Sequence, residues 1–481
     1  MGKGGFGTHG TDGTHFSKGN IKMTEAKRTT DFGNAERLVE NNIDEIRYCS
    51  GAKRWLLWRG DRWAFDDGRQ LLRKAMETIN KITEEAEGVD NNPKLKQALL
   101  DHAVRSQTPS KLKAMIFLAQ SDPRIQVDLD SLDADPLKLN FLNGTMDLRT
   151  KGVHEHSRDD MITKICPVNY DPDATCPLFM SFMTRITGGN VTLFNYIMRI
   201  IGYCLTGIIT EQVLFIFVGD GANGKSTLLE IIRKILNDYA RHIQSSTFLA
   251  NSKAIRNDLA RLNGARFVSS VEMGTESKID EAMIKQITGG DPITARFLYQ
   301  EYFELMPCFK LIIAMNQEPN IKGVDHGIWR RIRIVPFDVI IPDEEIDRGL
   351  LEKLTLELPG ILNWAIQGCL TWQEEGLAVP PEVSIRTEML KRESDTIGLF
   401  LEDCCGTDPD GKIPVKDMFD IYHGWTHENV CDVMTKKSFG IYMKKKGFMQ
   451  GKSDSVRFWK GVAVKTKTAP SPIADQVVSL Q

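Results

Sequence analysis

The sequence predicts an α/β core built on a buried parallel sheet, with a mainly helical α+β domain before it and a smaller basic domain after it. Between about residues 179 and 337, short unbroken apolar runs alternate with amphipathic stretches; helical spacing dominates upstream, and downstream the chain turns basic. The runs at 213–218, Phe267–Val271 and Lys310–Met315 are too short for buried helices and suit central strands. With 481 residues, 41% of them hydrophobic, there is apolar surface for several cores.

In chain order, residues 1–28 are rich in Gly, Thr, His and Lys and have little to bury, so a disordered tail is expected, His9 and His15 included. An N-terminal domain is expected over 29–178. Ala35, Leu38, Val39, Asn42, Ile43 and Ile46 recur at helical spacing. Residues 54–58 (RWLLW) and 62–65 (RWAF) flank Arg59-Gly60-Asp61, a hairpin pattern with a glycine turn. Trp55, Trp58 and Trp63 either stack on bases or fill the core of a small α+β domain. Residues 67–120 read as charged helices, and Asn143-Gly144 as a tight turn between strands. Asp171-Pro172 and Cys176-Pro177 mark a linker into a core domain over 179–378. A second linker near Val379-Pro380-Pro381 leads to a last domain over 385–467, and 468–481 form a loose tail.

Directly after the 213–218 run comes Gly219-Asp220-Gly221-Ala222-Asn223-Gly224-Lys225-Ser226, a full GxxxxGK[ST] motif, and Thr227 continues into an apolar-faced helix. Glycines let the backbone curl so that several N–H groups face phosphates, and the helix N-terminus adds partial positive charge. Lys225 would reach the β and γ oxygens, and Ser226 would give its hydroxyl to Mg²⁺. The core is therefore expected to be an α/β P-loop NTPase that takes ATP and Mg²⁺. The second strand ends in Glu272, which suits a Mg²⁺ ligand through water or a base for attacking water. The third ends in Asn316, an amide placed to sense the γ-phosphate. Arg330, Arg331 and Arg333 then form a basic cluster; an arginine offered to a neighbour's phosphate stabilises transition-state charge.

These features, in this order and spacing, resemble superfamily 3 helicases, above all the helicase module of phage, plasmid and poxvirus primase-helicases. The resemblance rests on residues 219–227, 259–274, 279–319 and 327–337, with upstream support at 30–42, 54–63 and 141–152, and covers roughly 29–465. It implies an AAA+-like core in a homohexameric ring translocating on single-stranded DNA. It assigns Gly224, Lys225, Ser226 and Thr227 to the Walker A motif, Glu272 to Walker B and Asn316 to motif C. Arg331, with Arg330 as alternate, matches the finger offered to the adjacent subunit. Residues 294–303 match a hairpin that grips DNA in the ring's channel, and Lys285, which falls between motifs B and C, joins Arg296 and Tyr299 as the expected nucleic-acid contacts. In two respects the sequence departs from the family. Val271 precedes Glu272 where many relatives carry paired acids, which leaves Mg²⁺ resting mainly on Ser226 and water. Only about thirty residues precede the helical domain, so primer synthesis is not expected of this chain, and a separate primase or polymerase would be its partner.

At the C-terminal end, residues 415–422 and 436–447 read as helices. Gly451 opens a basic hairpin with strands at 456–459 and 462–464. Helix, helix, wing is the order of a winged-helix domain. Residues 436–467 hold nine lysines and one arginine against one aspartate, in a chain of net charge −3. So local a patch favours phosphate contact, with Lys444, Lys445 and Arg457 as candidates for binding forked DNA.

No apolar run approaches the ~18 residues of a membrane span. The start lacks an apolar signal core, and Phe6 stands where a myristoylation motif wants Ser or Thr. The expected location is cytoplasmic, in the host cytoplasm for a phage or plasmid gene. Nine cysteines without a CxxC pair point to buried thiols. Three functions compete: a replicative DNA helicase, an initiator or loader that assembles on origin DNA without processive unwinding, and a small-molecule kinase, which would leave the arginine cluster and the basic C-terminal patch without a purpose.

Overall fold

The computed structural model describes residues 29–248, 256–271, 279–296, 301–319, 321, 325–429, 433–453 and 456–465. The expected tails at 1–28 and 468–481, together with Glu272 and Tyr299, lie outside these described residues. The chain divides into two compact units, one of residues 1–134 and 156–163, the other of 135–155 and 164–481.

In the first unit, α1 (Asp31–Asn41) starts where the Thr30 hydroxyl accepts the Gly33 N–H. Ile46, expected on this helix, instead begins β1 (Ile46–Cys49). Next come β2 (Arg54–Trp58), β3 (Trp63–Phe65), α2 (Arg69–Glu87), α3 (Pro93–Ser106), α4 (Pro109–Ala119) and β4 (Gln126–Val127). The sheet order is β3-β2-β1-β4, with β2 and β3 forming the expected hairpin. Strand alternation sends Trp55 and Leu57 into the helical core with Leu38, Ile79 and Met115, while Leu56 and Trp63 pack on the other face with Cys49. Trp55 and Trp63 are thus core residues, and the indole N–H of Trp63 donates to the Arg158 carbonyl (2.9 Å).

The second unit opens with a meander, β5 (Lys138–Phe141), β6 (Gly144–Asp147) and β7 (Gly152–His154). Leu139, Phe141 and Met146 join the core of the large sheet, so these strands belong here and not with the N-terminal domain assigned to 29–178. Two helices follow, α5 (Pro177–Ile186) and α6 (Val191–Cys204). They lead into β8 (Leu214–Val218), α7 (Lys225–Leu236), β9 (Ala240–His242), α8 (Arg256–Ala260), β10 (Phe267–Val271) and α9 (Glu281–Gly289). The hairpin β11 (Ile293–Ala295) and β12 (Phe303–Leu305) precedes β13 (Lys310–Met315), α10 (His326–Trp329), β14 (Ile332–Pro336), α11 (Leu350–Thr355) and α12 (Leu358–Glu375).

The five-stranded sheet runs β14-β8-β13-β10-β9 and is parallel throughout. Phe215, Phe217, Ile312, Ala314 and Val335 face a core shared with α5, α6, α7 and α12. Leu214, Ile216, Leu311, Ile313, Ile332 and Ile334 face the opposite core with Ile284 and Ile287 of α9. Burial on both faces explains the unbroken apolar runs.

The edge strand β14 is covered by α13 (Pro381–Ser394), where the Thr387 hydroxyl accepts the Ile334 N–H (3.0 Å) and Leu390 enters the sheet's core. The last domain therefore starts at α14 (Thr396–Cys404) and not at 385. It continues through β15 (Cys405–Pro414), α15 (Val415–Glu428), α16 (Lys436–Lys445), β16 (Met449–Ser453) and β17 (Val456–Val464), with sheet order β15-β17-β16. The hairpin pairs 449–453 with one continuous strand to Val464, which corrects the expected break between 459 and 462. No described helix is long and apolar enough to cross a membrane. Of the described cysteines, Cys49, Cys166, Cys176, Cys204, Cys369 and Cys405 are buried free thiols.

Where α6 crosses α12 the backbones touch. A Cβ on Gly202 would lie 2.0 Å from the Cys369 nitrogen, and one on Gly368 2.2 Å from the Met198 carbonyl oxygen. The carbonyls after α6 are held by buried cations. Arg266 donates to Leu205 O and Lys138 O (2.7 Å each), and the Lys310 ammonium donates to Thr206 O and Ile208 O. Burial pushes Lys310 down to about 8, with Arg266 adding repulsion and the neighbouring Cys204, Cys308 and Cys369 opposing it.

Two outcomes are expected. Gly368→Ala should lower the thermal midpoint by the equivalent of about 3 kcal/mol, because the two nearest atoms are Met198 backbone, which cannot swing aside. For Lys310, the folded state gives up its proton near pH 8 and the unfolded chain only near the ordinary lysine value. Wild type should therefore gain stability relative to Lys310→Met as pH rises from 8 to 10 in urea melts; a flat difference would contradict the assignment.

Candidate functional site

The glycine-rich segment leaves the C-terminal end of β8 and curls back into α7. Gly219 is forced by contact: a Cβ there would sit 2.1 Å from the Phe337 carbonyl oxygen. Its N–H donates to Met315 O of β13 (3.3 Å), while Phe337 N–H donates to Val218 O (2.7 Å), so both neighbouring strands brace the turn. Ala222 takes a left-handed φ of 51°, and its carbonyl accepts the Ile341 N–H (2.8 Å). Gly224 has φ +82°, and a Cβ on it would meet Ile186 Cγ2 at 2.5 Å and Phe182 Cε2 at 2.9 Å. Thus α5 packs directly beneath the loop, a support that nothing in the motif's spelling announces.

Lys225 is only 4% exposed. Its ammonium donates to the loop's own Gly219 carbonyl and to Asn223 Oδ1 (2.9 Å), while Asn223 Nδ2 holds Phe337 O (3.3 Å). Burial pushes the Lys225 pKa below the ordinary lysine range, with Asp220 pulling the other way. Among the described residues no carboxylate forms an ion pair with it. A buried cation held only by neutral oxygens, above a loop too tight for side chains at Gly219 and Gly224, fits an anionic ligand such as a polyphosphate. Ser226 is exposed and Thr227 half-exposed at the first turn of α7; Asp220 and Gly221 are exposed at the tip.

Asn316 is exposed at the end of β13, next to this loop, because Met315 pairs with Val218. Beyond it, β10 ends on the same side, Val271 pairing with Ala314. The expected order of loop, amide and acid-bearing strand tip is therefore the order of adjacent strands β8, β13 and β10, although Glu272 itself lies outside the described residues.

The arginines stand at the other end of the sheet. The Arg331 carbonyl accepts the Leu214 N–H (2.7 Å), so Arg331 abuts the start of β8, about 15 Å from that strand's loop end at ~3.3 Å per residue. Its guanidinium donates to Thr288 Oγ1 (3.1 Å) and Gly327 O (2.7 Å). Arg330 is exposed and makes no ion pair among the described residues. Thr288, which sequence reading missed, thus orients one arginine of the pair and leaves the other to solvent. Lys285 is engaged nearby: it pairs with Asp325, which also accepts the Gly327 N–H and is held below the usual carboxylate range by those contacts, the Lys285 bond foremost.

On the β11–β12 hairpin, Arg296 is exposed and its guanidinium lies 4.7 Å from the ring centre of Tyr302, an aromatic the sequence reading passed over. In the last domain Lys444, Lys445 and Arg457 are all exposed. Lys445 sits over Tyr442 (5.3 Å), and Lys446 pairs with Asp395. Across the sheet, Lys452 lies directly opposite Arg457 and Lys412 opposite Lys460.

Residues 35–188 match a family model described as D5 N terminal like, and residues 217–331 match one described as a family of unknown function. A provisionally named helicase of Acanthamoeba polyphaga mimivirus is 27% identical over 327 residues, covering 63% of this chain and 34% of the relative. One from Frog virus 3 is 28% identical over 279 residues, covering 53% and 28%. A provisionally named primase of African swine fever virus is 24% identical over 215 residues, covering 43% and 22%. These matches fit a primase-helicase of the poxvirus and phage type. The chain spans about a third, or less, of the length of these relatives. Among solved structures, the apo NrS-1 C terminal region is similar in fold, with a TM-score of 0.52 at 12% identity, covering 89% of this chain and 98% of that one.

Substitution at Gly224 tests the loop. Gly224→Ala should lower stability by about 1–3 kcal/mol, since it combines left-handed backbone with a clash, whereas Gly221→Ala, which meets nothing within 4 Å, should be near neutral. Thermal melts of the two variants make the comparison.

Proposed function

We propose that this chain is an ATP-dependent DNA helicase of superfamily 3, acting in phage, plasmid or viral DNA replication as a homohexameric ring on single-stranded or forked DNA. One observation carries the reading: the buried Lys225 and its loop occupy one end of β8, and Arg331 abuts the other. A single copy cannot bring the two together, so the arginines are free to serve the loop of a neighbour.

In this reading the parallel sheet is an AAA+-like P-loop core, and the last domain is a winged helix. Lys225, backbone N–H groups between residues 220 and 227 and the Ser226 hydroxyl would hold ATP and Mg²⁺, with Glu272 as the second candidate near the metal. Bound Mg²⁺-ATP supplies a phosphoanhydride bond that water can cleave. Lys225 exchanges the Gly219 carbonyl and Asn223 for phosphate oxygens. Asn316 orients the attacking water, and Glu272 accepts its proton. Arg331, braced by Thr288, or the exposed Arg330 arrives from the adjacent copy to offset developing negative charge. Arg296, with Tyr299 and Tyr302, contacts the DNA strand from the hairpin, and Lys285, through Asp325, ties that region to the arginine-bearing turn. Lys444, Lys445 and Arg457 meet the phosphates of the fork. A separate primase or polymerase is the expected partner, and the host cytoplasm the expected location.

The test is ATP hydrolysis with and without single-stranded DNA. Wild type should be stimulated, and Lys225→Ala and Arg331→Ala should each lose activity by roughly 10³-fold. Mixing the two variants should restore activity at up to about a quarter of the subunit boundaries, where an intact loop meets an intact arginine. No recovery on mixing, for this pair or with Arg330→Ala in its place, would remove catalysis across a boundary. Hydrolysis without displacement of a forked duplex would favour the initiator or loader.

A further inference from the structure

The first unit carries a basic groove that the ATP reading does not use. It is an open, shallow groove of about 390 Å³ lined by Arg59, Phe65, Asp67, Arg69, Gln70 and Arg73. The arginines come from separate elements: Arg59 from the turn after β2, Arg69 and Arg73 from the first turns of α2. A fourth, Arg54, lies with its guanidinium 4.5 Å from the Phe65 ring centre.

The acidic groups here are turned to other work. Asp66 accepts the N–H groups of Gly68 (2.9 Å), Gln70 and Leu71 (3.3 Å each), and Asp67 accepts that of Arg69 (3.0 Å). The helix N–H groups are therefore already satisfied, and a ligand would meet guanidinium groups. Arg69 and Asp67 approach only to 3.6 Å with both side chains open to solvent. Arg59 and Arg73 have no ion-pair partner among the described residues. Residues 53–73 hold six basic side chains against three acidic ones, in a chain of net charge −3. A merely solvated face would be convex and would not gather its cations around a half-buried ring.

We propose that this groove binds single-stranded nucleic acid, with Arg59, Arg69 and Arg73 contacting backbone phosphates and an unpaired base stacking on the Phe65–Arg54 pair. A ring recessed in a concave site meets a base face only when the base is unstacked, which disfavours duplex. Several guanidinium groups around one ring suit a strand better than a lone anion, whose charge one or two of them would satisfy.

The experiment uses the full chain without nucleotide, so that it does not depend on the ATP site. Anisotropy of a fluorescein-labelled dT oligonucleotide is followed against salt for wild type, Arg59→Ala/Arg73→Ala, Arg59→Lys/Arg73→Lys and Phe65→Leu. The alanine pair should bind at least about tenfold more weakly near 0.1 M salt, and its log K against log salt slope should be shallower by about 1.4, the value for two lost phosphate contacts on a single strand. The lysine pair keeps the charge and should keep the slope, which a mere folding defect would not do. Phe65→Leu should weaken binding about fivefold or more with the slope unchanged. A 4-thiothymidine oligonucleotide should photo-crosslink within residues 54–73. Unchanged affinity and slope in the alanine pair overturn the proposal, as does equal competition by a mononucleotide. Loss of hydrolysis in Lys225→Ala with these results intact leaves the groove standing, and the converse pattern sinks the groove alone.

Discussion

Every side chain of β8 from Leu214 to Val218 is buried, and the ladders to β13 and β14 occupy its backbone on both edges. A strand in that position has no free polar group along its length. Chemistry can begin only where it starts and where it stops, and the two ends are made differently. At its end the chain must turn at once beneath the Phe337 carbonyl, which admits only glycine at 219. At its start the Leu214 N–H is taken by the Arg331 carbonyl, which fixes the arginine-bearing turn there. The two ends of one strand thus carry the glycine-rich loop and the arginine-bearing turn, facing opposite ways.

The sheet is kept in place by an unusual means. The carbonyls following α6 would be left in an apolar interior, and two strands of the sheet supply the cations that meet them: Arg266 just before β10, and Lys310 at the first position of β13. Cations at a helix C-terminus are favoured by its dipole, but an ammonium this deep loses most of its hydration. The arrangement works because each donor finds carbonyl oxygens and an aromatic face, Tyr239 for Arg266 and Tyr203 for Lys310. The Gly202–Gly368 crossing allows α6 to lie close enough for this. Packing on one face of the sheet and hydrogen bonding at its starting edge are in this sense one constraint.

Much of this was legible in the sequence, and the misses share a cause. The three central strands, the helix after Lys225 and the hairpin around Gly60 follow from apolar periodicity and turn chemistry, which are local. The meander at 138–154 was placed in the wrong unit because burial of Leu139 and Phe141 depends on where the chain returns, which no local pattern reveals. A last domain beginning at 385 divides the helix at 381–394, whose Thr387 and Leu390 bind it to β14 and its core. At the candidate site the motif named the loop residues, but not that α5 supports Gly224 or that Thr288 and Gly327 steady Arg331. The α5 and Thr288 contacts come from residues about forty positions away and have no spelling of their own. The tryptophans show the same limit: composition allows stacking or core, and only the fold shows Trp55 and Trp63 buried on opposite faces and half-exposed Trp58 packed edge-on against Trp63.

The last domain raises a question of where its charge is meant to act. On α16, part of the basic run is already spent, Lys446 on Asp395 and Lys445 against Tyr442. The three-stranded sheet is different. Lys412 faces Lys460, and Lys452 faces Arg457, all four exposed and none with an acidic partner among the described residues. Like charges directly opposite one another destabilise a sheet by a few tenths of a kcal/mol to about 1 kcal/mol per pair, and a change of either partner to a neutral side chain would relieve it. Two such pairs in one small sheet are intelligible if the repulsion is relieved by something outside the chain, and a row of phosphates does that while releasing its own counterions. The sheet thus adds uncompensated charge to that of Lys436, Lys437 and Lys444 on α16, and β15, the strand the sequence did not reveal, contributes half of one pair through Lys412, which also lies 5.6 Å from the Phe458 ring centre.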